Sequence, residues 1–92
     1  MNDLKVVIDA GHGGSDPGAS GNGIIEKDLT LAISQYMYDL FRDKGINVKM
    51  TRTTDETVSP TERVNRILEA FGNNKDVIVV SNHINAGGAA LA

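Results

Sequence analysis

The sequence predicts an α/β domain with a largely parallel sheet and helical crossovers, in the order β-α-β-α-β. Three observations carry this. Short, strand-like runs rich in β-branched or alternating apolar residues stand at positions 4–10, 47–51 and 76–81. Two stretches of helical period separate them, and the two patterns alternate strictly along the chain. With a helix in every crossover, the strands are expected to run parallel with right-handed connections.

Residues 4–10 read LKVVIDA, a greasy β-branched run suited to a strand buried on both faces. Positions 11–25 hold six glycines and a proline and read as a loop. From Asp28 the period becomes helical. Leu29, Ile33, Tyr36, Met37 and Leu40 fall on one stripe, with Lys44 as a C-terminal cation and Gly45 as the stop. Positions 47–51, NVKMT, alternate and form the second expected strand. After a polar stretch, Ser59 is the candidate N-cap, Pro60 the first helical residue, and Glu62 the partner completing a capping box. Val64, Ile67, Leu68 and Phe71 supply that helix's apolar stripe, and Gly72 ends it. Positions 76–81, DVIVVS, form a third buried strand, and the closing NHINAGGAALA has no period.

A chain of 92 residues is one domain at most, and 40% hydrophobic with 23% charged residues is a globular balance. The net charge of −3 offers no basic footprint for nucleic acid and argues against binding to anionic membranes. The absence of cysteine excludes disulfides and thiolate metal sites, so a metal would need His, Asp or Glu. The opening MNDLKVVIDAG lacks the basic and apolar regions of a signal peptide, and no apolar run is long enough for membrane insertion. Oligomeric state leaves no mark in the sequence.

Ligands of doubly wound sheets bind at the carboxyl ends of the strands. His12 follows the first strand and His83 the third, and these are the chain's 2 histidines. Two imidazoles and one carboxylate make a typical catalytic zinc set, Zn2+ keeping its fourth position for water. Glu26 is the favoured acid, because it opens the first helix, where the dipole favours a carboxylate. Asp28 and Asp16 are alternatives. Asp9 is placed either to accept a hydrogen bond from a histidine ring or to cap the loop. Asn85 is placed to orient substrate or to cap a turn, and Arg63 reads as solvated or ion-paired. The Gly11, Gly13, Gly14 loop also resembles the setting of a phosphate cradle. Neither nucleotide-binding glycine pattern is present, and Asp16 would repel an anion.

The stretch VVIDAGHGGSDPGASGNGIIEKDLTL resembles the opening of the zinc-dependent N-acetylmuramoyl-L-alanine amidases of the amidase-3 family. TRTTDETVSPTERVNRI resembles that family's TR-x-x-D segment and the following arginine-bearing helix, and SNHINA its S-x-H-x-N segment. The resemblance implies cleavage of the amide between N-acetylmuramic acid and L-alanine, with peptidoglycan as partner and the cell wall as the place of action. It implies zinc ligands at His12, Glu26 and His83. Ala10 and Asn82 depart from the commoner family residues without removing a ligand. Family members also carry a second glutamate, a general acid/base, near the domain's C-terminus. No carboxylate follows the HINAGG stretch before Ala92. The expectation is therefore a single domain, 1–92, incomplete relative to the family's and with amidase activity in doubt. A non-catalytic zinc- or wall-binding fragment is the alternative, with a phosphate-binding α/β module behind it.

Overall fold

A computed structural model describes residues 4–73 and 75–84. The order is β1 (Lys5–Ala10), β2 (Ser20–Gly21), β3 (Ile24–Ile25), α1 (Glu26–Asp43), β4 (Asn47–Met50), α2 (Pro60–Phe71) and β5 (Val77–Asn82). The main sheet runs β4-β1-β5, parallel throughout, with Val6 beside Val48 and Ile78 and Ala10 beside Asn82. The expected α/β class and parallel crossovers hold. Because β1 is central, its side chains are buried on both faces. Val6 and Ile8 join Val48, Met37, Tyr38 and Phe41 in the core under α1. Asp9, one position on, points the opposite way by the strand's two-residue period and meets Arg63 of α2.

The loop expected over 11–25 contains a small antiparallel hairpin, β2–β3. Its turn residues, Asn22 (φ 54°) and Gly23 (φ 80°), are both left-handed, as a type I′ turn requires. Asn-Gly is the strongest two-residue hairpin signal in a sequence, and here the surrounding glycines obscured it.

Helix α1 starts at Glu26, two residues earlier than its apolar period, and ends in a Schellman pair. Ile46 N–H donates to Phe41 O and Gly45 N–H to Arg42 O, both at 3.0 Å. Its buried face is shifted by one residue from the expected stripe. Thr30 and Ser34 are fully buried, with Met37, Tyr38 and Phe41 against the core, while Ile33, Tyr36 and Leu40 are exposed. The reason is polar: Thr30 Oγ1 donates to Gly11 O at 2.7 Å, and Ser34 Oγ accepts from Asn82 Nδ2 at 3.0 Å. Those bonds turn the helix's hydroxyl face, rather than its greasiest one, toward the strand ends.

Helix α2 is capped as expected by Ser59, whose Oγ accepts from Glu62 N–H at 3.1 Å. The Glu62 carboxylate does not close the capping box; it takes Arg66 Nε at 2.9 Å. Val64 and Leu68 of the expected stripe are exposed. Strand β5 is likewise not the buried strand expected, because it lies at the sheet edge with Ile78 and Val79 nearly half exposed. Among the described residues, no helix is long and apolar enough to cross a membrane.

Candidate metal centre

The chain leaves β1 for β4 on one side and later reaches β5 on the other, so the strand order reverses at the β1/β5 boundary. Such a switch point leaves a crevice at the carboxyl ends of those two strands. His12 follows β1 and His83 follows β5, which places both at this crevice. Glu26, the first residue of α1, completes the group. One potential ligand atom from each of the three lies within 4.8 Å of the others, a set able to hold a metal ion.

His12 Nε2 stands 3.1 Å from Glu26 Oε2, and His83 Nδ1 stands 3.5 Å from the same oxygen. The two rings meet edge to face, with centroids 5.1 Å apart. Glu26 is 5% exposed. Its Oε1 accepts from Ala19 N–H at 2.9 Å and its Oε2 from Ile84 N–H at 2.8 Å. Burial pushes this carboxyl up, but the two amide hydrogen bonds, together with the neighbouring His12 and His83, outweigh it and hold the group below its ordinary value. A charged carboxylate is what a cation needs.

The donor set fits zinc on two counts. Tetrahedral ligands at about 2.0–2.1 Å from zinc stand roughly 3.3 Å from one another, and the two observed nitrogen–oxygen separations bracket that value. The second count concerns protons. His12 Nδ1 lies 2.9 Å from Asp16 Oδ2 on one side of the ring, and Nε2 faces Glu26 Oε2 at 3.1 Å on the other. With Nδ1–H donated to Asp16, Nε2 meets a carboxylate oxygen, an arrangement that calls for a cation or a second proton between them.

The glycines permit this convergence by lacking side chains. A Cβ on Gly11 would stand 2.6 Å from His83 Cε1, and one on Gly18 would stand 2.7 Å from both Glu26 Oε1 and His12 Cδ2. His12 itself has φ 64°, an uncommon backbone state for a residue with a side chain.

Two arginines hold the rim. Arg63 Nη1 donates to Asp9 Oδ1 at 2.6 Å and to Ala10 O at 2.7 Å, and Nη2 donates to His12 O at 3.0 Å. Asp9 also accepts from Ser81 Oγ at 2.7 Å and Thr51 Oγ1 at 2.9 Å. Its carboxylate is thus occupied by Arg63 and two hydroxyls rather than by a histidine ring, and it reaches His12 only through Arg63. Of the two readings of Arg63, ion-paired is the observed one. Arg52, the arginine of the TR-x-x-D segment, is 2% exposed, and the sequence gives it no role. It donates from Nε to Ala10 O at 3.1 Å and from Nη2 to Gly11 O at 3.1 Å and Lys27 O at 3.0 Å. The TR-x-x-D segment marks its position but not this role, because apart from the Thr30 hydroxyl its acceptors are main-chain carbonyls that any residue supplies. Asn85 lies outside the described residues.

The loop amides leave little for an anion. Gly13 N–H donates to Asp16 O, Gly14 N–H to Asp55 Oδ1 and Ser15 N–H to Thr57 Oγ1. Lys27 Nζ is also taken, by Asp55 Oδ2 at 2.9 Å and Gly14 O at 3.0 Å. Beside Glu26 opens a groove of about 200 Å³ lined by Ala19, Ser20, Gly21, Asn22, Ile24 and Ile84.

The chain is similar to known proteins along nearly its whole length. Over 87 residues the chain is 44% identical to the uncharacterized protein YqiI of Bacillus subtilis, covering 95% of this chain and 40% of that protein. It is 41% identical to the sporulation-specific N-acetylmuramoyl-L-alanine amidase of the same organism, covering 92% of this chain and 32% of that one. The chain therefore spans less than half the length of these curated relatives. Among solved structures, the AmiC2 amidase of Nostoc punctiforme superposes with a TM-score of 0.77 at 36% identity, covering 89% of this chain and 44% of that one. An N-acetylmuramoyl-L-alanine amidase from Clostridium difficile 630 gives 0.80 at 32% identity, covering 92% and 45%. The family described as N-acetylmuramoyl-L-alanine amidase, Amidase_3, matches residues 6–91. With nearly its whole length inside that match, the chain belongs to the Amidase_3 family.

Proposed function

We propose that this chain is the metal-holding portion of a zinc-dependent N-acetylmuramoyl-L-alanine amidase acting on peptidoglycan in the cell wall. The observation that carries the reading is the approach of His12, Glu26 and His83 ligand atoms to within 4.8 Å at the sheet's switch point. Residues 1–92 form part of a larger catalytic domain, a reading supported by the 44–45% of the two solved amidase chains that this one covers.

His12, Glu26 and His83 would hold the ion. Zinc held there would supply Lewis acidity toward a scissile carbonyl and a water whose pKa is lowered toward about 7. The protein's own part is to keep Glu26 anionic, through the Ala19 and Ile84 amides, and to hold both rings against it. The groove beside Glu26, walled by Ile24 and Ile84, is open to the alanine end of a stem peptide. Three other carboxylates around the rim are engaged elsewhere: Asp9 with Arg63, Asp16 with His12, and Asp55 with Lys27. Proton transfer to the leaving amine is assigned to none of them. General acid–base help is worth about 10²–10⁴-fold, so turnover by these residues alone is expected to be slow.

The test is a digest of purified peptidoglycan with the zinc-loaded chain, assayed for new N-terminal alanine. Slow, chelator-sensitive release supports the reading. Release of reducing sugar or of other amino termini contradicts the assigned bond, and rapid clearing contradicts the argument about the proton-transfer group.

A further inference from the structure

We propose that Asp16 is a positioning residue for the metal centre, fixing the tautomer and ring plane of His12 so that Nε2 faces Glu26. This inference rests on the reading of His12, Glu26 and His83 as a zinc site. Asp16 was one of the alternative ligands suggested by the sequence, but its carboxylate lies against Nδ1, on the other side of the ring from the cluster.

The loop is built to deliver that carboxylate. Asp16 and Gly13 exchange both main-chain hydrogen bonds, Gly13 N–H to Asp16 O at 2.8 Å and Asp16 N–H to Gly13 O at 3.0 Å. Asp16 Oδ1 accepts from Gly18 N–H at 3.1 Å, which leaves Oδ2 aimed at His12 Nδ1. Gly18 in turn lies against the His12 ring, and Arg63 holds the His12 carbonyl. The ring is therefore constrained by its backbone, by one face and by Nδ1.

Only the last constraint chooses the tautomer. With a cation at Nε2 the imidazole carries its one proton on Nδ1, and the Asp16 carboxylate accepts that proton's hydrogen bond and holds the ring in this form. The same contact raises the basicity of the ligating nitrogen, and loss of such a partner typically weakens metal binding by about 10–100-fold. The side chain of Asp16 is 61% exposed, so its replacement removes little packing.

The experiment compares wild type with Asp16→Ala, Asp16→Asn and the control Asp28→Asn, which removes an exposed carboxylate that, although an alternative ligand by sequence, is not part of the His12, Glu26 and His83 cluster. Two readouts are taken: zinc affinity by chelator competition, and the His12 tautomer of the metal-free chain by long-range ¹⁵N–¹H correlation. Thermal midpoints of the metal-free chains report separately on folding. The expected result is a zinc Kd weakened about 10–100-fold in Asp16→Ala, with His12 Nδ1 no longer holding its proton in the metal-free chain. Asp16→Asn, with one oxygen left to share between Gly18 and His12, falls between, and Asp28→Asn matches wild type. Zinc affinity in Asp16→Ala within twofold of wild type, or an unchanged His12 tautomer, would overturn the proposal. Failure of the wild-type chain to bind zinc would instead defeat the metal-site reading, while the tautomer measurement still decides what Asp16 does.

Discussion

Arg63, on the second helix, donates to the main-chain carbonyl of His12 at 3.0 Å and to the buried carboxylate of Asp9 at 2.6 Å. One guanidinium thus ties the floor of the sheet to a histidine whose backbone is in the left-handed region. Both partners are largely buried, Arg63 at 15% and Asp9 at 5% side-chain exposure. Removing one member of a buried pair strands the other, at about 3–5 kcal/mol. Arg63→Ala is expected to lose stability in that range by urea denaturation, whereas Asp9→Asn with Arg63→Ala loses less than the sum of the two single changes. Strict additivity would show that the pair is not coupled.

Gly18 and Gly45 have similar backbones, φ 70° and 79°, but different surroundings. A Cβ at Gly45 meets nothing, so Gly45→Ala is expected to cost only the left-handed backbone penalty, about 1–2 kcal/mol, without touching metal binding. A Cβ at Gly18 meets both His12 and Glu26. Gly18→Ala should therefore weaken zinc binding at least tenfold in the same chelator assay. Equal zinc affinity in the two variants would contradict the close packing described.

Acid should unfold this chain through its buried carboxylates. Burial pushes Asp9 up, but bonds from Arg63, Ser81 and Thr51 outweigh it and hold Asp9 below its ordinary value of 3.8. Glu26 is held below 4.5. A depressed folded-state pKa means the unfolded chain binds more protons, so the stabilisation is fully present above about pH 5 and fades as pH falls through the folded values. Urea midpoints of the metal-free chain are expected to be flat from pH 7 to 5 and to drop below about pH 4. Asp9→Asn should flatten part of that drop.

The one-residue shift in α1 separates two neighbours. Ile33 is 39% exposed, and Ser34 is fully buried and bonded to Asn82. Ile33→Gln is expected to change stability by no more than about 0.5 kcal/mol. Ser34→Leu forces a larger side chain into a filled site and is expected to cost about 1–3 kcal/mol. The reverse ranking in thermal melts would restore the stripe that the sequence suggests.

That pair of residues also marks what could be read without a structure. The strands, the crossovers and the rim positions of His12 and His83 follow from period and order alone, because a parallel sheet sends consecutive carboxyl ends to one side. The helix faces were misplaced because period fixes spacing but not which side meets the sheet. In α1 that choice is set by Thr30 bonding Gly11 O and Ser34 bonding Asn82, contacts across 19 and 48 positions. The role of Arg52 in the TR-x-x-D segment is illegible for a similar reason, since its main-chain acceptors carry no residue signature. The Asn22-Gly23 hairpin was legible and was hidden only by its glycine-rich surroundings.

The central claim is that His12, Glu26 and His83 hold one zinc ion together. X-ray absorption at the zinc edge, on the chain loaded with one equivalent and then dialysed, tests it most directly. The expected result is a retained ion with nitrogen and oxygen neighbours at about 2.0–2.1 Å, an imidazole signal that is reduced in His83→Ala, and loss of the ion when His12 is also replaced. A chain that keeps no zinc through dialysis, or one whose zinc environment is unchanged by the double replacement, would contradict it.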